Sequence, residues 1–176
     1  MLNETRASLV FLKDHMGRIC LAPRKEKIHN AKNVLPNSNK KLNGYGGKQE
    51  FGETITETAL RELQQESTVI GAEKDLELVA RINFFWSGNM STTPDMRVYV
   101  FFLEKYEGTP RESEREMGVP QFYVPEEIPY DMMMPADKLF LPKLLAGEKL
   151  TWDVYLGKTT EEGNIYFEDK QTLPTR

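Results

Sequence analysis

The chain has 176 residues and 20.3 kDa, with 39% hydrophobic and 28% charged side chains and a formal net charge of −4, the profile of one soluble domain with one core. A single cysteine, Cys20, and two histidines, His15 and His29, exclude an internal disulfide and the usual four-ligand zinc site, and they predict a reducing, cytoplasmic setting. The sequence pI of 5.4 argues against general nucleic-acid binding, and the charged opening residues and the lack of any long apolar run predict neither a secretion signal nor a membrane span.

In chain order, Ser8 to Lys13 and Arg18 to Ala22 are short apolar runs separated by Asp-His-Met-Gly, which predicts two strands joined as a hairpin. Residues 24–42 hold Pro36 and Asn30, Asn33, Asn37 and Asn39 with little periodicity, and read as a long functional loop. From Thr54 the pattern turns helical: Ile55, Ala59, Leu60 and Leu63 form one apolar stripe, and Thr54-Ile55-Thr56-Glu57 has the form of a capping box. Strands are predicted over about 76–86 and 96–104, a second helix over 137–146 ending at Gly147, and a last strand pair at Leu150 to Leu156 and Asn164 to Phe167. With no internal repeat or linker, this order predicts a single domain over 1–176 of mixed α/β (α+β) class, a central sheet covered by helices.

The charge is unevenly spread. Residues 24–48 carry seven basic side chains against one acidic, whereas residues 50–77 carry eight acidic against two basic. A basic stretch feeding an acidic one suits a polyphosphate met by a metal ion. On the predicted helix Glu62 and Glu66 are four residues apart, so they emerge on one face a turn apart, where like charges repel unless a cation compensates them. The preceding Gly44-Tyr45-Gly46-Gly47-Lys48 can turn sharply and bring backbone close to that face.

Gly47, five residues, Glu53, seven residues, then Arg61-Glu62-Leu63-Gln64-Gln65-Glu66 resembles the box that defines the Nudix hydrolases. The resemblance extends over nearly the whole chain: Leu-Asn-Gly-Tyr-Gly-Gly-Lys (42–48), Gly-Glu-Thr-Ile (52–55), Gly-Thr-Pro (108–110), Glu-Met (116–117) and Ile-Pro-Tyr-Asp-Met (128–132) are similar to the vertebrate-type oxidised purine nucleoside triphosphatases of that family. It implies a mixed central sheet between helices with the box as loop, helix and loop. It further implies cleavage of nucleotides such as 8-oxo-dGTP to monophosphate and pyrophosphate, which sanitises the nucleotide pool. The implied cofactor is Mg2+, with Mn2+ as a substitute, held by the Gly46 carbonyl, Glu62 and Glu66, with Glu116 as a further ligand or the base and Arg61 orienting Glu53 or its neighbours. Such types suit the chemistry, because negative oxygens around phosphorus repel hydroxide until cations neutralise them and a carboxylate takes the proton of water.

Arg24 and Lys48 are then candidates for phosphate contacts, Asn43 and Asp137 for reading a purine edge, and Phe84, Trp86, Met96, Met117 and Phe140 for apolar walls. The implied partner is a small nucleotide bound by a monomer, with neither nucleic acid nor membrane.

Three stretches depart from the family pattern. Gln65 replaces a Glu, which predicts weaker or fewer metal contacts and leaves open a nucleotide-binding regulatory module. Thr68 replaces a Gly at the helix end, which predicts a different helix exit. In Met134-Pro135-Ala136-Asp137 one of two adjacent aspartates and a Trp are missing, which questions dual specificity for oxidised guanine and adenine. Another nucleoside diphosphate derivative, such as ADP-ribose, is the alternative substrate.

Overall fold

The computed structural model describes residues 4–25, 41–85, 93–156 and 165–172. Trp86 and most of the Asn-rich loop, residues 26–40, lie outside these.

Five strands form the central sheet: β1 (Thr5–Leu12), β5 (Leu76–Phe85), β6 (Met96–Leu103), β9 (Leu150–Leu156) and β10 (Ile165–Thr172), in the order β1-β6-β5-β9-β10. The sheet is mixed as expected, with β1 and β6 parallel, β6 and β5 antiparallel, β5 and β9 parallel, and β9 and β10 antiparallel. A second sheet of order β3-β2-β8 contains β2 (Ile19–Pro23), β3 (Leu42–Asn43) and β8 (Gln121–Tyr123), and β4 (Ile70–Gly71) pairs with β7 (Tyr106–Glu107).

Strand alternation splits the core in two. Along β6, Phe101 and Leu103 join a cluster with Val10, Leu12, Ala59 and Leu63, whereas Val100 and Phe102 join one with Phe11, Phe140, Leu141 and Leu144. The helix α1 (Ile55–Ser67) therefore packs on one face of the sheet and α2 (Asp137–Leu145) belongs to the core of the other. Truncating Leu63, which is fully buried, to Ala would cost roughly 2–5 kcal/mol.

The capping box forms as expected: Thr54 Oγ1 accepts from the Glu57 N–H at 3.2 Å, and Glu57 Oε2 accepts from the Thr54 N–H at 2.7 Å. Two expectations are corrected. The chain turns sharply between the first two runs, with Asp14 Oδ1 accepting the Met16 and Arg18 N–H groups at 2.9 Å. The hairpin is closed only at its turn, where Lys13 and Ile19 form one antiparallel bridge and the Asp14 N–H donates to the Arg18 carbonyl at 3.0 Å; beyond it β1 pairs with β6 and β2 with β3 and β8. Val10 to Leu12 and Ile19 to Ala22 are buried on both faces, so each strand needs a layer on either side, which a hairpin beside solvent cannot supply. At the exit of α1, Thr68 takes the left-handed conformation itself, at φ 66° and ψ 2°, and closes the helix with its N–H on the Gln64 carbonyl at 2.9 Å. The exit is thus of the ordinary glycine type, built with a strained β-branched residue.

Candidate active site

The site is assembled where the loop after β3 crosses α1. Tyr45 is fully buried and exchanges two backbone hydrogen bonds with Val10, at 2.6 and 2.9 Å, which pins the loop to β1. The next two residues pass so close to their neighbours that side chains are excluded: a Cβ at Gly46 would overlap the Ser8 carbonyl, and one at Gly47 would overlap the Glu62 carboxylate. The close approach lets the Gly46 N–H donate to Glu66 Oε2 at 2.8 Å.

Glu62 and Glu66 project from α1 as the four-residue spacing requires, and Glu116 joins them from the segment preceding β8. One carboxylate oxygen of each lies within 4.8 Å of the others. Glu66 is buried, and burial pushes its pKa up to about 7; the Gly46 N–H and the Arg24 charge oppose the rise, while Glu116 and Glu62 add to it. Three converging carboxylates, one of them deeply buried, form a hard-oxygen donor set that a divalent cation such as Mg2+ or Mn2+ fits.

Arg61 braces the cluster. Its Nε and Nη2 grip Glu53 as a fork at 2.5 and 3.0 Å, Nη1 donates to Glu62 Oε1 at 2.8 Å, and Nη2 also donates to the Lys48 carbonyl at 3.2 Å. Glu53 Oε2 further accepts from the Thr58 hydroxyl at 2.9 Å and the Glu50 N–H at 3.1 Å, and Arg61 above all holds the Glu53 carboxyl well below its usual range. Gln65 stands apart from the cluster, exposed, with Oε1 3.3 Å from Arg61 Nη1.

Arg24 follows β2, its backbone bridging to Met117, and its charge acts on both Glu66 and Asp137. Lys48 is exposed beside the Gly46-Gly47 turn. Asn43 ends β3, half-buried, with Oδ1 accepting the Gly44 N–H at 2.9 Å. Asp137 opens α2 at 5% exposure, and burial raises its pKa to about 7 against the opposing Met134 N–H and Arg24. Of the apolar residues, Phe84 on β5 is half-buried against the α2-side cluster that contains Phe140, and Met96 on β6 is its register partner. Met117 does not join them. Its register with Arg24 turns it, 1% exposed, into the α1-side cluster with Cys20 and Ala22, where it serves as core. Reading along the sequence missed Ser113 and Lys25, which hold the Glu116 segment; the Ser-x-x-Glu spacing at 113–116 is the one local signal of it.

A braced trio of carboxylates beneath a Gly-Gly turn, on the flank of a mixed sheet, is a donor set of the kind that can hold a divalent cation for phosphoryl chemistry. The chain belongs to the NUDIX family, whose domain matches residues 3–144. It is 36% identical to the oxidized purine nucleoside triphosphate hydrolase of Mus musculus over 132 residues, covering 74% of this chain and 72% of that protein. To the Danio rerio protein of the same name it is 41% identical over 106 residues, covering 60% of this chain and 63% of the relative, so less than two thirds of that protein's length is spanned. Among solved structures, the MutT protein of Bacillus halodurans shares the fold at TM-score 0.65 and 19% identity, covering 98% and 99% of the two chains. An ADP-ribose pyrophosphatase of Streptococcus suis also shares it, at TM-score 0.54 and 12% identity over 87% and 99%. Among the described residues no helix is long and apolar enough to cross a membrane.

Proposed function

We propose that this chain, as a single domain over 1–176, is a monomeric cytoplasmic pyrophosphohydrolase that uses Mg2+ to cleave oxidised purine nucleoside triphosphates to monophosphate and pyrophosphate. The observation that carries the reading is the convergence of Glu62, Glu66 and Glu116 under the Gly46-Gly47 turn, in a chain whose sequence relatives are named oxidized purine nucleoside triphosphate hydrolases. Those carboxylates and the Gly46 carbonyl would hold the cation, which supplies charge neutralisation of the phosphates and a lowered pKa for the attacking water. Arg61 keeps Glu53 and Glu62 in place, and a carboxylate of the cluster takes the proton of water. Arg24 and Lys48 meet the phosphate chain. Asn43 and Asp137 read the purine edge, with Phe84, Met96 and Phe140 along the ring. The single thiol, Cys20, is buried, with a pKa raised to about 11 by burial, which makes it inert rather than a nucleophile.

The test is a substrate panel in Mg2+: 8-oxo-dGTP, 2-hydroxy-dATP, dGTP and ADP-ribose. Monophosphate and pyrophosphate are expected from the oxidised triphosphates, and Glu66→Gln should reduce turnover by at least about a hundredfold with the fold intact. Failure to cleave any triphosphate overturns the reading, and cleavage of ADP-ribose alone transfers the activity to diphosphate derivatives.

A further inference from the structure

Two of the three cluster carboxylates stand on a capped helix whose geometry places them, but Glu116 comes from an irregular segment between β7 and β8. A ligand on such a segment needs its own support, because an untethered loop would surrender ordering entropy on gathering a cation.

The support is built around one hydroxyl. Ser113 Oγ accepts the N–H of Met117 at 2.8 Å and that of Glu116 at 3.2 Å, and the Ser113 N–H donates to the Met117 carbonyl at 3.0 Å, closing residues 113–117 into a tight turn. The turn is tied to the end of β2: the Lys25 N–H donates to the Glu116 carbonyl at 2.7 Å, the Gly118 N–H to the Pro23 carbonyl at 2.7 Å, and Lys25 Nζ to the Ser113 carbonyl at 2.7 Å. At its other end the Arg111 N–H donates to the carbonyl of Ser67, the residue after Glu66. The backbone N–H and C=O of Glu116 are therefore both committed, to Ser113 and Lys25, and the direction in which its side chain leaves the chain is fixed.

We infer that Ser113 is a positioning residue for Glu116, its hydroxyl setting the turn that presents the third carboxylate to Glu62 and Glu66. The inference rests on the reading of Glu116 as a metal ligand. Ser113 touches neither substrate nor ion in this role; it acts through the backbone of Glu116.

The test measures Mn2+ binding to the full chain directly, by the electron paramagnetic resonance signal of free Mn2+, in wild type, Ser113→Ala, Ser113→Thr, Ser113→Val and Glu116→Gln. Thr and Val have nearly the same shape and differ in the hydroxyl, so that pair separates hydrogen bonding from packing. Melting curves in a chelator confirm that each variant is folded. Ser113→Ala and Ser113→Val should weaken Mn2+ binding by about tenfold, Ser113→Thr should retain wild-type binding, and Glu116→Gln should weaken it at least as much as Ser113→Ala. In turnover, Ser113→Ala should raise the Mg2+ concentration needed for half-maximal rate and leave KM for the nucleotide unchanged at saturating Mg2+. If Glu116→Gln weakens binding but Ala and Val at 113 bind like wild type, or if Thr and Val behave alike, the positioning role is overturned. Wild-type binding by Glu116→Gln overturns the ligand reading beneath it, and the inference with it.

Discussion

Asp137 keeps a carboxyl group at 5% exposure, with the Met134 N–H donating to Oδ2 at 3.2 Å and the Arg24 charge as its electrostatic support. Burial outweighs both and lifts the pKa from 3.8 to about 7, so the native state retains a proton that the unfolded chain releases near pH 4. Through that interval the native state binds more protons than the unfolded state, so this residue's contribution to stability falls as pH rises from about 4 to 7. Asp137→Asn, which cannot ionise, should therefore lose less stability than wild type between pH 5 and 8, by roughly 2–3 kcal/mol. Urea midpoints across that range check it, and parallel curves for the two proteins would refute the burial-driven shift. At this scale the sequence was most legible where spacing is local. Glu62 and Glu66 follow from helix geometry, and Glu53 and Arg61 from the box, but no period links Glu116 to a helix fifty residues earlier. The packing of Met117 was illegible for a related reason: whether a Met lines a wall or fills the core depends on its strand register, which a bridge to Arg24 decides.

At the scale of elements, α1 is specified at both ends by different means. Its start is written in the residues, since Thr54 and Glu57 satisfy each other's backbone donors, an arrangement worth about 1 kcal/mol. Its end is imposed by tertiary structure. Ser67 donates its hydroxyl to the Leu63 carbonyl at 2.6 Å, Arg111 donates to the Ser67 carbonyl at 3.0 Å, and Val69 is fully buried, so Thr68 between them has no route except the left-handed one. That conformation costs a non-glycine residue about 1–2 kcal/mol, of which glycine would return part as unfolded-chain entropy. Thr68→Gly should accordingly stabilise the protein by about 0.5–1 kcal/mol, raising Tm by roughly 2 °C, with turnover unchanged. Thermal unfolding in a chelator measures it, and a lower Tm would show that the threonine side chain earns its place by contacts. The capped helix, the long strands β5 and β6 and the last strand pair were legible because each carries its own periodicity or turn signal. The extent of the hairpin was not, since the turn at Asp14 to Gly17 shows that the chain reverses, and Lys13 does bridge Ile19, but not which strands β1 and β2 pair with beyond that bridge. The short strands β3, β4, β7 and β8 exist only through their partners, having two or three residues each.

Over the whole molecule, the net charge of −4 conceals an electrostatic load placed at one point. Glu62, Glu66 and Glu116 converge from two separate parts of the chain, and the folded state must hold them together although like charges at that distance repel. Arg61 offsets the load through Glu62, and Arg24 acts on Glu66, but both are monovalent and shared with Glu53 and Asp137 respectively. A divalent cation held by these carboxylates, as proposed, would bind only the folded chain, because unfolding separates Glu116 from α1, so its binding energy would appear as stability. At a concentration one hundred times its Kd the gain is about 2.7 kcal/mol, which for a chain of this size raises Tm by roughly 5–10 °C. The gain should be larger at pH 8 than at pH 6, because protons compete with the cation for the same carboxylates. Scanning fluorimetry in Mg2+, in Mn2+ and in a chelator at the two pH values reads both effects. Glu66→Gln should abolish most of the metal-dependent shift and, by removing one of the repelling charges, melt higher than wild type in chelator at pH 8. A melting temperature indifferent to divalent ions at pH 8 would mean that the three carboxylates meet for another reason than to hold one.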